Sequence, residues 1–537
     1  MINRRAKKTT LMGKWSNRAA GGASVLAFMA LASGASAQSS DPLLNALIKK
    51  GILSEDEAKA IKAEADVNQS NNVAVADANW NKWKIGNAIK NVELFGDIRM
   101  RYEYRSAEGP DSSRVELDRG RYSLRLGLRG DAFDDYYYGL RLSMASNPRS
   151  PWVTFGTSTS GTPYQGPFGK STAGVDVDQL YIGWHKSSMN FTLGKMPNPL
   201  FTSQMVWDPD LQPEGAAERF NYSVGNVDFF ATFGQFYYAD ANPTEASSGL
   251  GFNGGLYQRT DPLFEIAWQA GFKYNFTTNV TAKLGATIYQ YAGVTQNVSP
   301  YFGDAYVGEG QYLGPSSGLA NGSSGYGING PILNGGNSSI GFPNNQVGVN
   351  HLLVLEIPFE FNFKISRLNA RVFGDFAYNL SGAERAEAAA AGYGNYLAYE
   401  RQQGNSVSVT AFPAQRHDVK AYQIGFAIGN KDCLGLVNGS VSKKNAWEFR
   451  TYWQHIEQYA LDPNQIDSDF FEGRENLQGI SVAAAYGLSD NVIGTVRYGH
   501  ASRINGLLGT GGSNQDIPQI NPIYDYDIFQ MDFTLKF

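Results

Sequence analysis

Hydrophobic and polar side chains alternate strictly in the last segment of the chain. From Phe529 to Phe537 every second residue is apolar, and the residues between them are polar. A period of two places the apolar side chains on one face of a β-strand and the polar ones on the other. This segment therefore predicts a strand whose two faces meet different solvents.

The same alternation recurs upstream and predicts sixteen β-strands. In the first of them, Leu94 and Met100 share one face, and Asp97 and Arg101 share the other. The predicted strands are Val92–Tyr104, Arg119–Gly130, Tyr136–Ala145, Val175–His185, Asn190–Met196, Gly215–Ser223, Val227–Tyr238, Glu265–Phe276, Asn279–Tyr291, Asn350–Phe363, Asn369–Leu380, Asp418–Gly429, Ala446–Gln458, Leu477–Tyr486, Asn491–His500 and Tyr526–Phe537.

The connections between these strands also follow a pattern. Links after even-numbered strands are short, as at Thr277-Thr278, and several links after odd-numbered strands are long, as at Ala292–Val349. The exception is Asn430–Asn445, a long link where a short one is expected. Such alternation is typical of membrane barrels. We therefore predict an all-β fold, a transmembrane antiparallel β-barrel of about 16 strands over residues 92–537, with a bulge at Pro358.

The N-terminus predicts export. Residues 1–37 hold six basic residues, an apolar stretch from about Ala19 to Ala32, and the small-residue cleavage sequence Ala35-Ser36-Ala37. A membrane anchor is the alternative, but the apolar run is shorter than the roughly 20 residues that a spanning helix needs. We interpret residues 1–37 as a signal peptide.

Two short helices are predicted in residues 38–67. Asp41 with Pro42 favours one helix start, Gly51 favours its end, and Ser54 with Glu57 forms a capping box for the second. We expect a short periplasmic helical segment, either a solvated hairpin or an element for self-association or cell-wall tethering. Residues 68–91 are predicted to be a linker.

Charge and composition restrict the partners. The precursor carries a formal net charge of −5, and residues 1–37 hold six basic and no acidic residues, so the exported chain is at −11. This acidity argues against nucleic acid as a partner. The aromatic content of 13% suits girdles at two membrane interfaces. The single cysteine, Cys433, permits no intrachain disulfide.

Motifs of enzymes occur without the structural context that they require. Gly314–Gly318 matches G-x-S-x-G and Gly325–Gly330 matches G-x-G-x-x-G, but both lie in a Gly-rich loop without a strand–turn–helix or βαβ pattern. The five histidines show no metal-ligand spacing. We predict no catalytic residues, no cofactor and no metal, although a Ser and a His could still meet on a barrel wall.

Six arginines share the polar parity of the first three strands and are predicted to line the pore. Charge facing lipid would cost about 2–4 kcal/mol at the bilayer midplane, so these side chains should face a water-filled lumen. They could simply solvate the wall, paired with Glu93, Asp97 and Glu103, or form a cationic half-ring that biases solute passage. The six are Arg99, Arg101, Arg121, Arg125, Arg129 and Arg141.

The loop Pro197–Glu214 is predicted to fold inward and narrow the pore. Its prolines stiffen it, and Asp208, Asp210 and Glu214 would place acids opposite the arginine wall. An external Ca²⁺ site is the alternative for these acids, but the ligand set is incomplete.

Three stretches resemble a known family, the bacterial putative porins of sixteen-stranded general-porin type. They are the stretch from Leu193-Gly194-Lys195-Met196 to Pro213-Glu214-Gly215-Ala216, the pair Asp467-Ser468-Asp469-Phe470 and Asn476-Leu477-Gln478-Gly479, and the opening Lys50-Gly51-Ile52-Leu53-Ser54. The long loop Ala292–Val349 and Arg474-Glu475 depart from the family's pattern. The resemblance implies passive diffusion across the outer membrane by a homotrimer. The C-terminal Phe537 resembles a barrel-assembly signal.

The function expected from these features is that of an outer-membrane porin. It would form a water-filled channel for small polar solutes and ions, in contact with outer-membrane lipid and with the barrel-assembly machinery. The alternative is a non-conducting barrel that acts as a structural or surface-binding scaffold.

Overall fold

The computed structural model describes residues 88–109, 112–145, 150–156, 174–239, 263–292, 351–392, 397–402, 406–411, 414–430, 434–439, 443–510, 516–517, 520 and 523–537. The signal peptide, the N-terminal helices and nearly all of the linker predicted above lie outside these residues, as does the loop at 293–350. The fold is that of the unit Lys90–Phe537.

Within the described residues, sixteen antiparallel strands close into a barrel. One additional short strand, β4, pairs with β2 of the same sheet. The strands are β1 (Glu93–Glu108), β2 (Arg114–Asp131), β3 (Tyr136–Ala145), β4 (Val153–Thr154), β5 (Gly174–Lys186), β6 (Met189–Lys195), β7 (Glu214–Val224), β8 (Val227–Ala239), β9 (Leu263–Thr277), β10 (Val280–Ala292), β11 (Leu353–Ile365), β12 (Leu368–Asn379), β15 (Lys420–Asn430), β16 (Trp447–Ile456), β17 (Leu477–Gly487), β18 (Val492–Arg503) and β19 (Asp525–Lys536).

The first and last strands close the barrel. β1 pairs with β19 from Asp97 opposite Lys536 to Glu108 opposite Asp525, and on its other side β1 pairs with β2. The Gly96 and Phe537 backbones extend this ladder with two more hydrogen bonds, of 2.9 and 3.1 Å. Closure gives every strand two neighbours, so that the backbone groups are satisfied without an open edge.

Side-chain burial is inverted relative to a soluble protein. Leu124 and Leu126 of β2 are exposed on the outer face, whereas Arg121 and Ser123 of the same strand are buried inside. The same division holds around the barrel, where exposed apolar residues alternate with buried Gln, Thr, Asp and Arg. The predicted fold class and the predicted orientation of the two strand faces are therefore confirmed.

All sixteen predicted strands are present, with ends displaced by a few residues. The largest displacement is at β2, which begins at Arg114 instead of Arg119 because β1 and β2 remain paired up to Glu108 and Arg114. Beyond the end of β3, β2 pairs instead with β4. The additional residues of β2 thus extend beyond the end of β3.

The long link between β15 and β16 is not an error in the strand count. Its described part forms a single 3₁₀ turn, Leu436–Asn438, that folds into the barrel. Leu436 and Val437 pack there against small wall residues, Ala446, Ala483, Ala485 and Ile493. The Gly435 and Val437 N–H groups donate to the Glu448 carboxylate, at 2.6 and 3.1 Å.

The predicted bulge at Pro358 is wrong. The β10–β11 register is the same on both sides of this residue, with Leu284 opposite Phe359 and Thr287 opposite Glu356. The β11–β12 ladder also runs through Pro358 without a shift. The proline, which lacks an N–H group, interrupts the ladder toward β10 but adds no residue to the strand.

Two elements lie outside the barrel wall. Helix α1 (Gly382–Gly392) follows β12, and the hairpin β13 (Leu397–Gln402) with β14 (Ser406–Ala411) follows α1. In the described ranges, no α-helix combines the length and the apolar content that membrane crossing requires.

Candidate functional site

A cavity of about 400 Å³ lies inside the barrel. Its wall comes from β1, β2 and β16–β19, and the remaining lining comes from chain segments folded into the lumen. Basic and acidic residues both line it: Arg99, Arg125, Arg450, Arg497 and Lys536 on one hand, and Asp97, Asp210, Asp467, Asp469 and Asp532 on the other.

The first inward segment, residues 196–213 between β6 and β7, crosses the lumen to the opposite wall. The Phe201 N–H and C=O groups both bond to the Gln269 side chain of β9, at 2.8 Å each. Thr202 donates to Glu356 of β11 at 2.5 Å, and Ser203 donates to Asp375 of β12 at 2.6 Å. The segment is therefore attached to three wall strands, as the inward-folding prediction requires.

The second inward segment, residues 457–476 between β16 and β17, meets the first inside the barrel. The Asp208 N–H donates to the Gln465 C=O at 2.6 Å. The N–H and hydroxyl of Ser468 both donate to the Asp208 carboxylate, at 3.1 and 3.0 Å. This joint holds the two segments together across the lumen, and the sequence patterns did not predict it.

Three aspartates at the joint have strongly perturbed acidities. Burial, then the neighbouring Asp210, raises the pKa of Asp208 to about 7, against the opposing effect of hydrogen bonds from Asp210 N–H and Ser468 N–H. Burial and Asp208 raise the pKa of Asp467 well above its ordinary range. Burial would also raise the pKa of Asp469, but Arg101 outweighs it and holds that pKa far below the ordinary value. The joint therefore contains carboxyl groups whose pKa values are shifted in opposite directions.

Of the predicted pore-lining arginines, most are paired with carboxylates. Arg101 binds Asp532 through Nε at 2.6 Å and Asp469 through Nη1 at 2.7 Å, and it is only 3% exposed. Arg125 binds Asp97 at 2.9 Å and lies 3.5 Å from Asp210.

The remaining arginines differ in burial and partner. Arg121 is buried, 3.6 Å from Glu103, whereas Arg129 pairs with Glu93 at 2.7 Å in an exposed position. Arg141 pairs with Asp178.

Trp152 covers part of the arginine wall. It directly precedes β4, is 2% exposed, and lies with its ring 4.4 Å from the Arg99 guanidinium and 4.1 Å from that of Arg101. Pairing of Val153 with Tyr122 of β2 holds it in place. No pattern in the sequence indicated that this loop residue would reach the lumen.

The acids of the predicted constriction loop separate into different environments. Asp208 is buried in the joint, and Asp210 faces Arg125. Glu214 is not part of the inward segment, a correction to the prediction, because it is the first residue of β7 and pairs across the sheet with Lys195. Its side chain is mostly exposed.

A buried ionic network that the sequence analysis missed surrounds the second inward segment. Arg105 contacts Glu103 at 3.1 Å and Glu472 at 3.3 Å, and Arg474 contacts Glu472 at 3.1 Å. Arg474 also donates to the Ile517 C=O at 2.6 Å. Arg474 stood out in the sequence only as a departure from the family's pattern.

The outer face carries two further features. Phe537 is 47% exposed, and its ring packs against Gly96. A Cβ atom added to Gly96 would lie only 2.8 Å from the Cζ atom of Phe537. Its role as an assembly signal stays a prediction. His500, which the sequence placed alone, lies 3.1 Å from Asp527 and 3.5 Å from Asp525.

The outer membrane channel DcaP of Acinetobacter baumannii aligns with 83% of this chain and 97% of its own, at 11% identity and a TM-score of 0.36. A loop-deletion mutant of OmpT, an outer membrane protein of Vibrio cholerae, aligns over 83% and 99%, at 9% identity and a TM-score of 0.34. A mutant porin of Rh. blastica aligns over 83% and 100%, at 8% identity and a TM-score of 0.33.

No curated protein matches the chain. The sequence model of one family, described as "Putative porin", matches residues 111–537, well over half of the chain. This protein therefore belongs to the putative porin family.

Proposed function

We propose that the protein is an outer-membrane channel for passive diffusion of small polar solutes and ions. The observation that carries this proposal is the charged cavity of about 400 Å³ inside a closed barrel whose outer face is apolar. Membership of the putative porin family supports it. An apolar exterior suits hydrocarbon, and a charged interior suits water and polar solutes.

The two inward segments would set the size limit of this channel. The first is attached to β9, β11 and β12 and joined to the second through Asp208 and Ser468. Arg99, Arg101, Arg121, Arg125, Arg129 and Arg141 form the basic side of the lumen in this proposal, with Asp208 and Asp210 on the facing segment.

A non-conducting scaffold is the second candidate, and one observation favours it. The inward segments and the 3₁₀ turn bring buried side chains into the lumen, including Asp208, Arg474 and Leu436. A lumen filled in this way would leave the outer loops as the working surface. No catalytic group is part of either proposal.

Conductance of the purified protein in a planar bilayer distinguishes the two candidates. A channel should insert in discrete steps of current. The conductance of each step should increase when the Ser203→Ala and Thr202→Val changes release the first inward segment. Silent insertion of folded barrels, shown by heat-modifiable migration in gels, would instead support the scaffold.

The setting of this channel is part of the same proposal. The leader 1–37 would export the chain, the barrel-assembly machinery would read Phe537, and the barrel would work as a homotrimer in outer-membrane lipid. Cross-linking of the membrane-extracted protein tests the trimer.

A further inference from the structure

The basic residues around the cavity differ in whether a carboxylate neutralises them. Arg125 forms ion pairs with Asp97 and Asp210, and Arg497 donates to Asp532. In the part of the chain that the structure describes, Arg99 and Lys536 have no carboxylate within ion-pair distance, although both line the cavity. An ion-paired guanidinium attracts anions weakly, so these two cations are the stronger attractors for an anion. Carboxylates beyond ion-pair distance also act on them: Asp210 and Asp532 on Arg99, and Asp97 on Lys536.

Arg99 is oriented by its contact with Trp152. The guanidinium carbon lies 4.4 Å from the centroid of the indole ring. Such stacking covers one face of the guanidinium and leaves the N–H groups at its edge available for a planar acceptor. Backbone pairing of β4 with β2, and the Phe155 N–H bond to the Gly120 C=O at 2.9 Å, hold the stacking residue in place.

Lys536 reaches the same region from the neighbouring strand. On the β1–β19 ladder, Asp97 lies opposite Lys536 and Arg99 lies opposite Thr534. Arg99 and Lys536 are thus diagonal neighbours on the inner face, at a backbone spacing of about 7–8 Å. The carboxylate of Asp97, which could have neutralised Lys536, instead accepts from Arg125 at 2.9 Å.

The acids that line the cavity are already engaged. Asp210 faces Arg125, Asp469 binds Arg101, and Asp532 accepts from both Arg101 and Arg497. Burial, and then the neighbouring Asp208, raises the pKa of Asp467. Arg450 of β16, which is 8% exposed, lies 3.9 Å from Glu448 through its Nε and donates to Asn438 at 2.6 Å. Arg99 and Lys536 are therefore the cations of the cavity lining that form no ion pair with a carboxylate of the described residues.

We infer that Arg99 and Lys536 form a binding subsite for a small oxyanion, a carboxylate or a phosphate, in the lumenal cavity. The anion would accept from the edge of the stacked guanidinium and from the ammonium group. This inference deepens the proposed channel function, since it names the solute class that the channel would concentrate. Trp152 acts as a positioning residue for Arg99.

Binding is tested on the full-length protein in detergent, where it does not depend on conductance. The ³¹P line of inorganic phosphate should broaden on addition of wild-type barrel. Arg99→Gln and Lys536→Gln should each weaken the apparent affinity about tenfold, as expected for loss of one charge-assisted hydrogen bond. Arg367→Gln is the matched control, because Arg367 is exposed in the turn between β11 and β12 and does not line the cavity.

The source of the anion is resolved by competition. Acetate that narrows the phosphate line again shows a site for carboxylates as well, and acetate without effect shows a site selective for phosphate. The inference is overturned if both Gln variants still broaden the phosphate line. It is also overturned if the wild type neither broadens that line nor shows saturation transfer to acetate. Trp152→Leu should weaken binding and Trp152→Phe should restore it.

Bilayer recordings separate failure of this inference from failure of the channel proposal. If the barrel conducts, the reversal potential in a KCl gradient should move toward cation preference in both Gln variants and stay unchanged in Arg367→Gln. A silent barrel that still binds phosphate would contradict the channel function alone. If Arg99→Gln does not fold by heat-modifiable migration, Lys536→Gln carries the test.

Discussion

Asp208 makes the joint between the two inward segments dependent on pH. Its carboxylate accepts from the N–H and hydroxyl of Ser468 and from the Asp210 N–H, and it is 3% exposed. In this environment its pKa rises from 3.8 to about 7. When the segments separate, the carboxyl meets water and its pKa returns to the ordinary value.

The sign and size of the effect follow from this difference. Between the two pKa values the joined state binds more protons than the separated state, so joining weakens as the pH rises. The stabilisation is complete below about pH 4 and is lost by about pH 7. A shift of about three pKa units corresponds to about 4 kcal/mol. Asp467, whose pKa is also raised, acts in the same direction.

Hydrogen exchange measures the opening of the joint directly. Peptides covering residues 204–211 and 463–470 of the detergent-solubilised protein should lose protection between pD 4 and 7, after correction for the intrinsic exchange rate. The Asp208→Asn variant keeps an acceptor oxygen but cannot ionise, so its protection should depend much less on pH. A full pH slope in that variant, or protection that increases with pH in the wild type, would refute the reasoning.

Three further predictions concern folding and assembly. Arg101→Gln should destabilise the barrel by about 3–5 kcal/mol in denaturant titration, because Asp532 and Asp469 would both lose their ion pair with this buried guanidinium. The same change at Arg129, whose ion pair is exposed, should cost less than about 1 kcal/mol. Leu436→Ala should cost about 2–5 kcal/mol, since this side chain is fully buried; a loss under 1 kcal/mol would show that the turn does not pack as described. Deletion of Phe537 should lower the yield of heat-modifiable barrel in outer-membrane fractions while export continues, and an unchanged yield would contradict the assembly-signal prediction.

Alternation along the chain was enough to predict the barrel and its inner face. Arg121 and Leu124 differ in parity within one strand, and only one assignment of parity keeps the charge out of hydrocarbon. The count of sixteen strands followed from the same kind of reasoning, whereas the inward course of the first inward segment was predicted from its prolines and acids. The pattern is local, because each residue's face depends only on its strand and not on distant parts of the chain.

The chemistry inside the barrel depended on contacts between residues far apart in sequence. Parity placed Arg99 and Arg101 together as equal members of a basic wall, but the fold brings Asp469 and Asp532 to Arg101 and leaves Arg99 stacked on Trp152 without a carboxylate. Strand period cannot predict these pairings, because closure of β1 on β19 places Asp532 opposite Arg101 and the second inward segment brings Asp469 to it. The sequence alone therefore determined which residues face inward. The tertiary structure decided which of those charged side chains have no carboxylate within ion-pair distance among the described residues.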